Sequence, residues 1–111
     1  MIKNITKNKI IVKEKKICNS IFSRAFGLMF TKKNNNLGLI FKFNKEQIIP
    51  MHMLFVFYPI DVLFLNKEKK VVEIKKSFKP WTFYTPKKKA MYVIEIASNN
   101  HEIDIGDKIN W

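Results

Sequence analysis

Arginine and cysteine are nearly missing from this chain of 111 residues: each occurs once, as Arg24 and Cys18. A single cysteine excludes an internal disulfide and fits a reducing compartment. With no histidine or second thiol close in sequence, Cys18 reads as an inert, half-buried side chain. A single arginine removes the bidentate fork that commonly reads base edges. Glycine is scarce as well, at Gly27, Gly38 and Gly106, and no glycine-rich loop that could cradle a phosphate is found. The sequence has no internal repeat and no long polar linker. The opening "MIKNITKNKIIVKEKK" lacks the apolar run and small-residue cleavage site of an export signal, so cytoplasm is the expected compartment. The length suits one domain, able to bury roughly 65% of its unfolded surface around one core.

Lysine, by contrast, is everywhere and carries nearly all of a formal net charge of +12. A lysine-rich surface attracts phosphates and steers their approach, which points to a polyanion partner. The abundance of lysine, isoleucine and asparagine together also fits an A/T-rich coding sequence that loads surfaces with lysine whatever the function. Charge alone does not choose between them.

Short apolar runs separated by lysine and asparagine clusters give the element pattern. A β-branched strand begins at Ile10 to Val12. "NSIFSRAFGLMF" (19–30) reads as a short helix, with Ser20 as cap, Ile21, Phe22, Ala25 and Phe26 at helical spacing, and Gly27 as terminator. "LGLIFKF" (37–43), "VVEIK" (71–75) and "AMYVIEIA" (90–97) read as strands. In the second of these Val71, Glu73 and Lys75 share one face. "IDIGDKI" (103–109) reads as a last strand holding a Gly-Asp turn. Many short strands between turn signals predict a mainly β fold: a compact antiparallel sandwich or barrel, with one short helix in the N-terminal half.

The most apolar segment is "IIPMHMLFVFYPIDVLFL" (48–65). As a membrane span it is poor: Pro50 and Pro59 interrupt it, and Asp61 would cost about 3 kcal/mol at mid-helix. Its β-branched and aromatic content favours strands. Alternation over 51–58 would put Met51, Met53, Phe55 and Phe57 on one face of a central, doubly covered strand, with His52 on the other. His52 is then a mostly buried histidine opposite the two methionines. The three cannot converge on a soft metal ion, and no metal or cofactor is expected.

Seven segments in order resemble a widespread bacterial and archaeal family, number 192 among the domains of unknown function. They are "RAFGLMF" (24–30), "GLIFKF", "MHMLFVFYPID" with Met53, Pro59 and Asp61, "VLFLNKEKKVVEI", "KPW", and "AMYVIEI" followed by "IGDKI". The chain looks like a short, archaeal-type member. The resemblance implies a compact β-rich domain with a short helix near the start, and no established activity. Many bacterial members carry export signals; none is visible here, so a periplasmic role is not expected to transfer. Where many members have Trp-Met-Lys-Asn-Thr, this chain has His52-Met53-Leu54-Phe55-Val56. Where a Pro-Ala-Gly turn is common, it has Ala97-Ser98-Asn99-Asn100, and asparagine tolerates the left-handed backbone that glycine would supply.

Two candidate sites follow. Asp61, set among apolar residues, must be hydrogen-bonded, paired or placed in a wet cleft. It could cap the Pro-Ile-Asp turn, pair with Arg24, or act as a pocket acid or base, with His52 as its partner in a small hydrolase. The second candidate is "KKSFKPWTFYTPKKKA" (75–90). There Lys75, Lys76, Lys79, Lys87, Lys88 and Lys89 frame Phe78, Trp81, Phe83 and Tyr84. Aromatics in a basic frame suit stacking on single-stranded nucleic acid, and aromatic walls suit a small ligand. They would also form a loop folded over one end of the core. The leading expectation is a binding or accessory module with a small-ligand or macromolecule site at Trp81, Tyr84, Asp61 and Arg24. Nonspecific nucleic-acid binding through the lysines, or hydrolysis at Asp61 and His52, are the alternatives.

Overall fold

A computed structural model describes residues 1–18 and 31–111. Ten strands run in chain order: β1 (Ile2–Asn4), β2 (Lys9–Val12), β3 (Glu14–Cys18), β4 (Leu37–Gln47), β5 (Met51–His52), β6 (Ile60–Leu65), β7 (Val71–Phe78), β8 (Phe83–Tyr84), β9 (Ala90–Ala97) and β10 (Ile109–Asn110). The five-stranded sheet β3-β4-β9-β6-β7 organises the molecule. The ribbon β5-β8 and the three-stranded sheet β10-β1-β2 complete it. No helix occurs among the described residues. The helix expected over 19–30, and Arg24 with it, lies outside them.

Burial follows from alternation. All six residues of β6 are buried, so its two faces feed two separate cores. Val62 and Phe64 join Leu39, Phe41 and Val93, covered by Met53, Val56, Tyr58 and Phe78. Leu63 and Leu65 join Ile40, Ile94 and Ile96 on the other side, covered by Ile2, Val12, Ile103 and Ile109. The second cover needs Gly38: a Cβ there would sit 2.5 Å from Ile2 Cδ1. Asn4 closes that layer by donating to the Asp107 carboxylate at 2.8 Å. Burial works against the Asp107 charge, but the Asp104 N–H, Asn4 and Lys7 outweigh it and hold the carboxyl below its usual range.

Five expectations change. The sheet is mixed, because β3 runs parallel to β4, with Glu14 opposite Leu37 and Cys18 opposite Phe41. It is open rather than closed, since β3 and β7 are its edges. The segment 51–58 is not a central strand. After the two residues of β5, Phe55 turns left-handed at φ 59° and the Val56 N–H bonds back to the Met53 carbonyl at 3.3 Å. Met53 is therefore buried, whereas His52 is exposed on the ribbon. Of the last expected strand, 103–109, only Ile109 lies in one, as the first residue of β10. Before it, Gly106 takes φ 94° and Asp107 accepts the Asp104 N–H at 2.9 Å. A register shift between Phe64 and Leu65 also breaks the alternation expected in β7. Val71 and Ile74 consequently pack into the same core.

Candidate functional site

The ribbon and its turns display an aromatic cluster. Register puts His52 opposite Phe83 and Met51 opposite Tyr84. The Met53 N–H then donates to the Thr82 carbonyl, and the Trp81 N–H to the Met53 carbonyl, each at 2.8 Å. These two bonds hold Trp81 at φ 65° beside Phe55 at φ 59°. Bulky side chains rarely adopt such angles, and each costs on the order of 1–3 kcal/mol. The Trp81 ring meets Phe55 at 5.0 Å and Phe57 at 6.0 Å, both edge to face. None of these rings is sheltered: Trp81 is 49% exposed, Phe57 61% and Phe83 71%. Lys76, Lys79, Lys87, Lys88 and Lys89 are exposed in the flanking segments.

Tyr84 on β8 and Lys75 on β7 are half-buried beside each other. The Tyr84 hydroxyl donates to Glu73 Oε2, and that bond, with burial, pushes its pKa up to about 12. Lys75 Nζ lies 5.3 Å from the Tyr84 ring centre. Glu73 Oε1 accepts the backbone N–H groups of Lys87 and Lys88, each at 2.9 Å. One carboxylate on β7 thereby ties down the backbone of the lysine turn and the tyrosine hydroxyl, while the Lys87 and Lys88 side chains stay exposed.

Asp61 is buried in β6, away from the surface cluster. Its Oδ1 accepts the Ser77 N–H at 2.9 Å and the Ser98 hydroxyl at 2.8 Å. Ser77 sits in the irregular β6–β7 pairing with φ 50°. The carboxylate satisfies that kink and clamps the chain after β9, rather than capping its own turn. His52 Nδ1 accepts the Leu54 N–H at 3.2 Å. Among the described residues no hydrogen bond joins His52 to Asp61; each has other partners. Of the sequence candidates, Trp81 and the lysines other than Lys75 reach solvent, while Asp61, Tyr84 and Lys75 lie behind them.

A third group had no clear sequence signature. Glu95 lies in β9 between Ile94 and Ile96, opposite Leu39 and Val62. It is 92% buried by its 8% residual exposure, and its Oε2 has no hydrogen-bond partner among the described residues. Burial pushes its pKa up to about 7. It lines a cavity of about 80 Å³ with Lys16, Thr31, Lys32, Asn34, Leu37, Leu39, Tyr58 and Ala97. The Tyr58 and Thr31 hydroxyls bond at 2.8 Å. Cys18 is buried close by, and burial raises its thiol pKa, which makes it a poor nucleophile. The one available sequence signal was a carboxylate inside an otherwise apolar strand, the same anomaly that marks Asp61. Among the described residues no group of three His, Cys, Asp or Glu could hold a metal ion. None of them forms a helix long and apolar enough to cross a membrane.

Comparison with known proteins places these features in context. Residues 2–111 match the model of the family DUF192, described as uncharacterized ACR. A UPF0127 protein of Thermococcus sibiricus is 38% identical over 116 aligned positions, covering 100% of this chain and 74% of that protein. A UPF0127 protein of Pyrococcus furiosus is 35% identical, covering 97% of this chain and 95% of its own length. A crystal structure of a protein of unknown function from Novosphingobium aromaticivorans superposes with a TM-score of 0.85 at 22% identity, covering 99% of this chain and 81% of that one. That likeness concerns the fold alone.

Proposed function

The chain belongs to the uncharacterised DUF192 family, and from that premise we propose that it is a binding module whose working surface is the Trp81 cluster. The observation that carries this reading is the pair of left-handed aromatic residues, Phe55 and Trp81, held by ribbon hydrogen bonds while their rings face solvent. A fold that pays for backbone strain to keep aromatic rings outside gains nothing in core stability from them. Contact with a partner gives such rings a use.

The lysines favour a polyanionic partner. With Lys76 and Lys79 before Trp81 and Lys87 to Lys89 after it, the cluster suits single-stranded nucleic acid, bases on the rings and phosphates on the lysines. Its open, projecting shape suits a macromolecule better than an enclosed small ligand. Hydrolysis at Asp61 and His52 has less support, because Asp61 is buried on Ser77 and Ser98 while His52 is exposed and bonded to Leu54.

Salt-titrated binding to a short single-stranded oligonucleotide tests the reading. Trp81→Ala should weaken binding by about 1–3 kcal/mol at fixed salt, the usual worth of one stacked base. An unchanged affinity in that variant, with binding abolished by added salt, would leave only nonspecific charge attraction. Absence of binding even at low salt would remove nucleic acid as the partner.

A further inference from the structure

The Glu95 cavity lies apart from the Trp81 cluster and has its own chemical logic. Its floor is the Glu95 carboxyl, set among Leu39, Ala97 and the Tyr58 ring, with one oxygen unpartnered among the described residues. Its rim carries the exposed side chains of Lys16 and Lys32 and the Asn34 amide. An unpartnered buried carboxyl oxygen calls for a hydrogen-bond donor, preferably a charged one. Rim ammonium groups call for an anion. The wall between floor and rim is partly apolar, through Leu37 and Leu39. The volume is enough for a few heavy atoms.

We propose that this cavity binds a small zwitterion, with a protonated amine on Glu95 and an anionic group at Lys16 and Lys32. An α-amino acid is the simplest molecule of that class; any side chain would leave through the open rim. Floor and rim have opposite charge preferences, so a ligand with only one charged end satisfies half the site. A plain amine meets the rim lysines without an anion to offset them. A plain carboxylate finds no donor to offer Glu95.

The groups facing Glu95 are Lys16 and Cys18 from β3, Lys32, and Tyr58 before β6. Burial raises both the Cys18 thiol and the Tyr58 phenol, so neither gains charge as Glu95 ionises. Binding of an ammonium group therefore strengthens as pH rises toward about 7 and levels off above it.

The experiment is an amide NMR titration of the full chain with glycine, using methylamine and acetate as single-ended probes. Glycine should shift the Leu39, Tyr58, Glu95 and Ala97 amides saturably. Methylamine and acetate should bind at least tenfold more weakly. Glu95→Gln, which keeps shape and cannot carry the charge, should weaken glycine at least tenfold and remove the pH dependence. The exposed Lys16→Met should weaken it several-fold without affecting folding. The proposal is overturned if glycine gives no saturable shift up to its solubility limit, or if methylamine or acetate binds as well. Unchanged glycine affinity in Glu95→Gln would overturn it too. These outcomes are independent of oligonucleotide binding at Trp81.

Discussion

Replacing Glu95 by glutamine should change how stability depends on pH, and the structure sets the size of the change. The carboxyl titrates near 4.5 when solvated and near 7 in the folded chain, because burial disfavours its charge. Below pH 4.5 both states hold the proton and Glu95 costs nothing. Between 4.5 and about 7 the unfolded chain releases its proton while the folded chain keeps it, so stability falls as pH rises. Each pH unit in that window is worth about 1.4 kcal/mol, which totals about 3 kcal/mol and stays constant above pH 7. Glutamine cannot titrate. Urea denaturation of both proteins across the window should therefore show the Glu95→Gln variant gaining about 3 kcal/mol on the native protein from its acid end to its alkaline end. Carboxyls that work in the opposite direction, such as Asp107, are common to both proteins and cancel in the difference. A difference that stays flat with pH would mean that Glu95 ionises normally in the folded state, and the reasoning from its burial would be wrong.

Other perturbations separate structural from surface roles. Asp61→Ala leaves the Ser77 N–H and the Ser98 hydroxyl without their buried acceptor; denaturation should show a loss of about 2–4 kcal/mol, against under about 0.5 kcal/mol for exposed His52→Ala. Glu73→Gln removes the carboxylate that binds the Tyr84 hydroxyl, so ultraviolet titration should find the phenol falling from about 12 toward its ordinary 10. Gly38→Ala drives a methyl to 2.5 Å from Ile2 Cδ1, and the overpacking should cost about 1–3 kcal/mol by the same denaturation assay.

Much of the fold was readable from residue pattern. "AMYVIEIA" is β9 to the residue, and "LGLIFKF" and "VVEIK" lie within β4 and β7. These runs combine β-branched content with flanking turn residues, and neighbouring strands reinforce that preference. The run 51–58 misled because a continuous apolar stretch has no period to distinguish a doubly covered strand from a turn whose side chains are buried one by one. The parallel pairing of β3 with β4 left no local mark either, since direction depends on where the chain returns. For the site, the aromatic and lysine content of 75–90 was visible. Which rings face water was not.

The sequence by itself determined the mainly β character, the positions of the long strands, the excess of lysine and the family. Its alternating and apolar runs are local properties, and seven motifs in order need no coordinates. Tertiary structure alone decided the rest: that His52 is outside and Met53 inside, that Asp61 serves a kink in the neighbouring strand, and that Trp81 is held outward beside Phe55. It also decided that Glu95, one acid among nine Asp and Glu residues, sits at the bottom of a cavity. Burial and hydrogen-bond partners come from residues distant along the chain, and a carboxylate takes its chemistry from those neighbours.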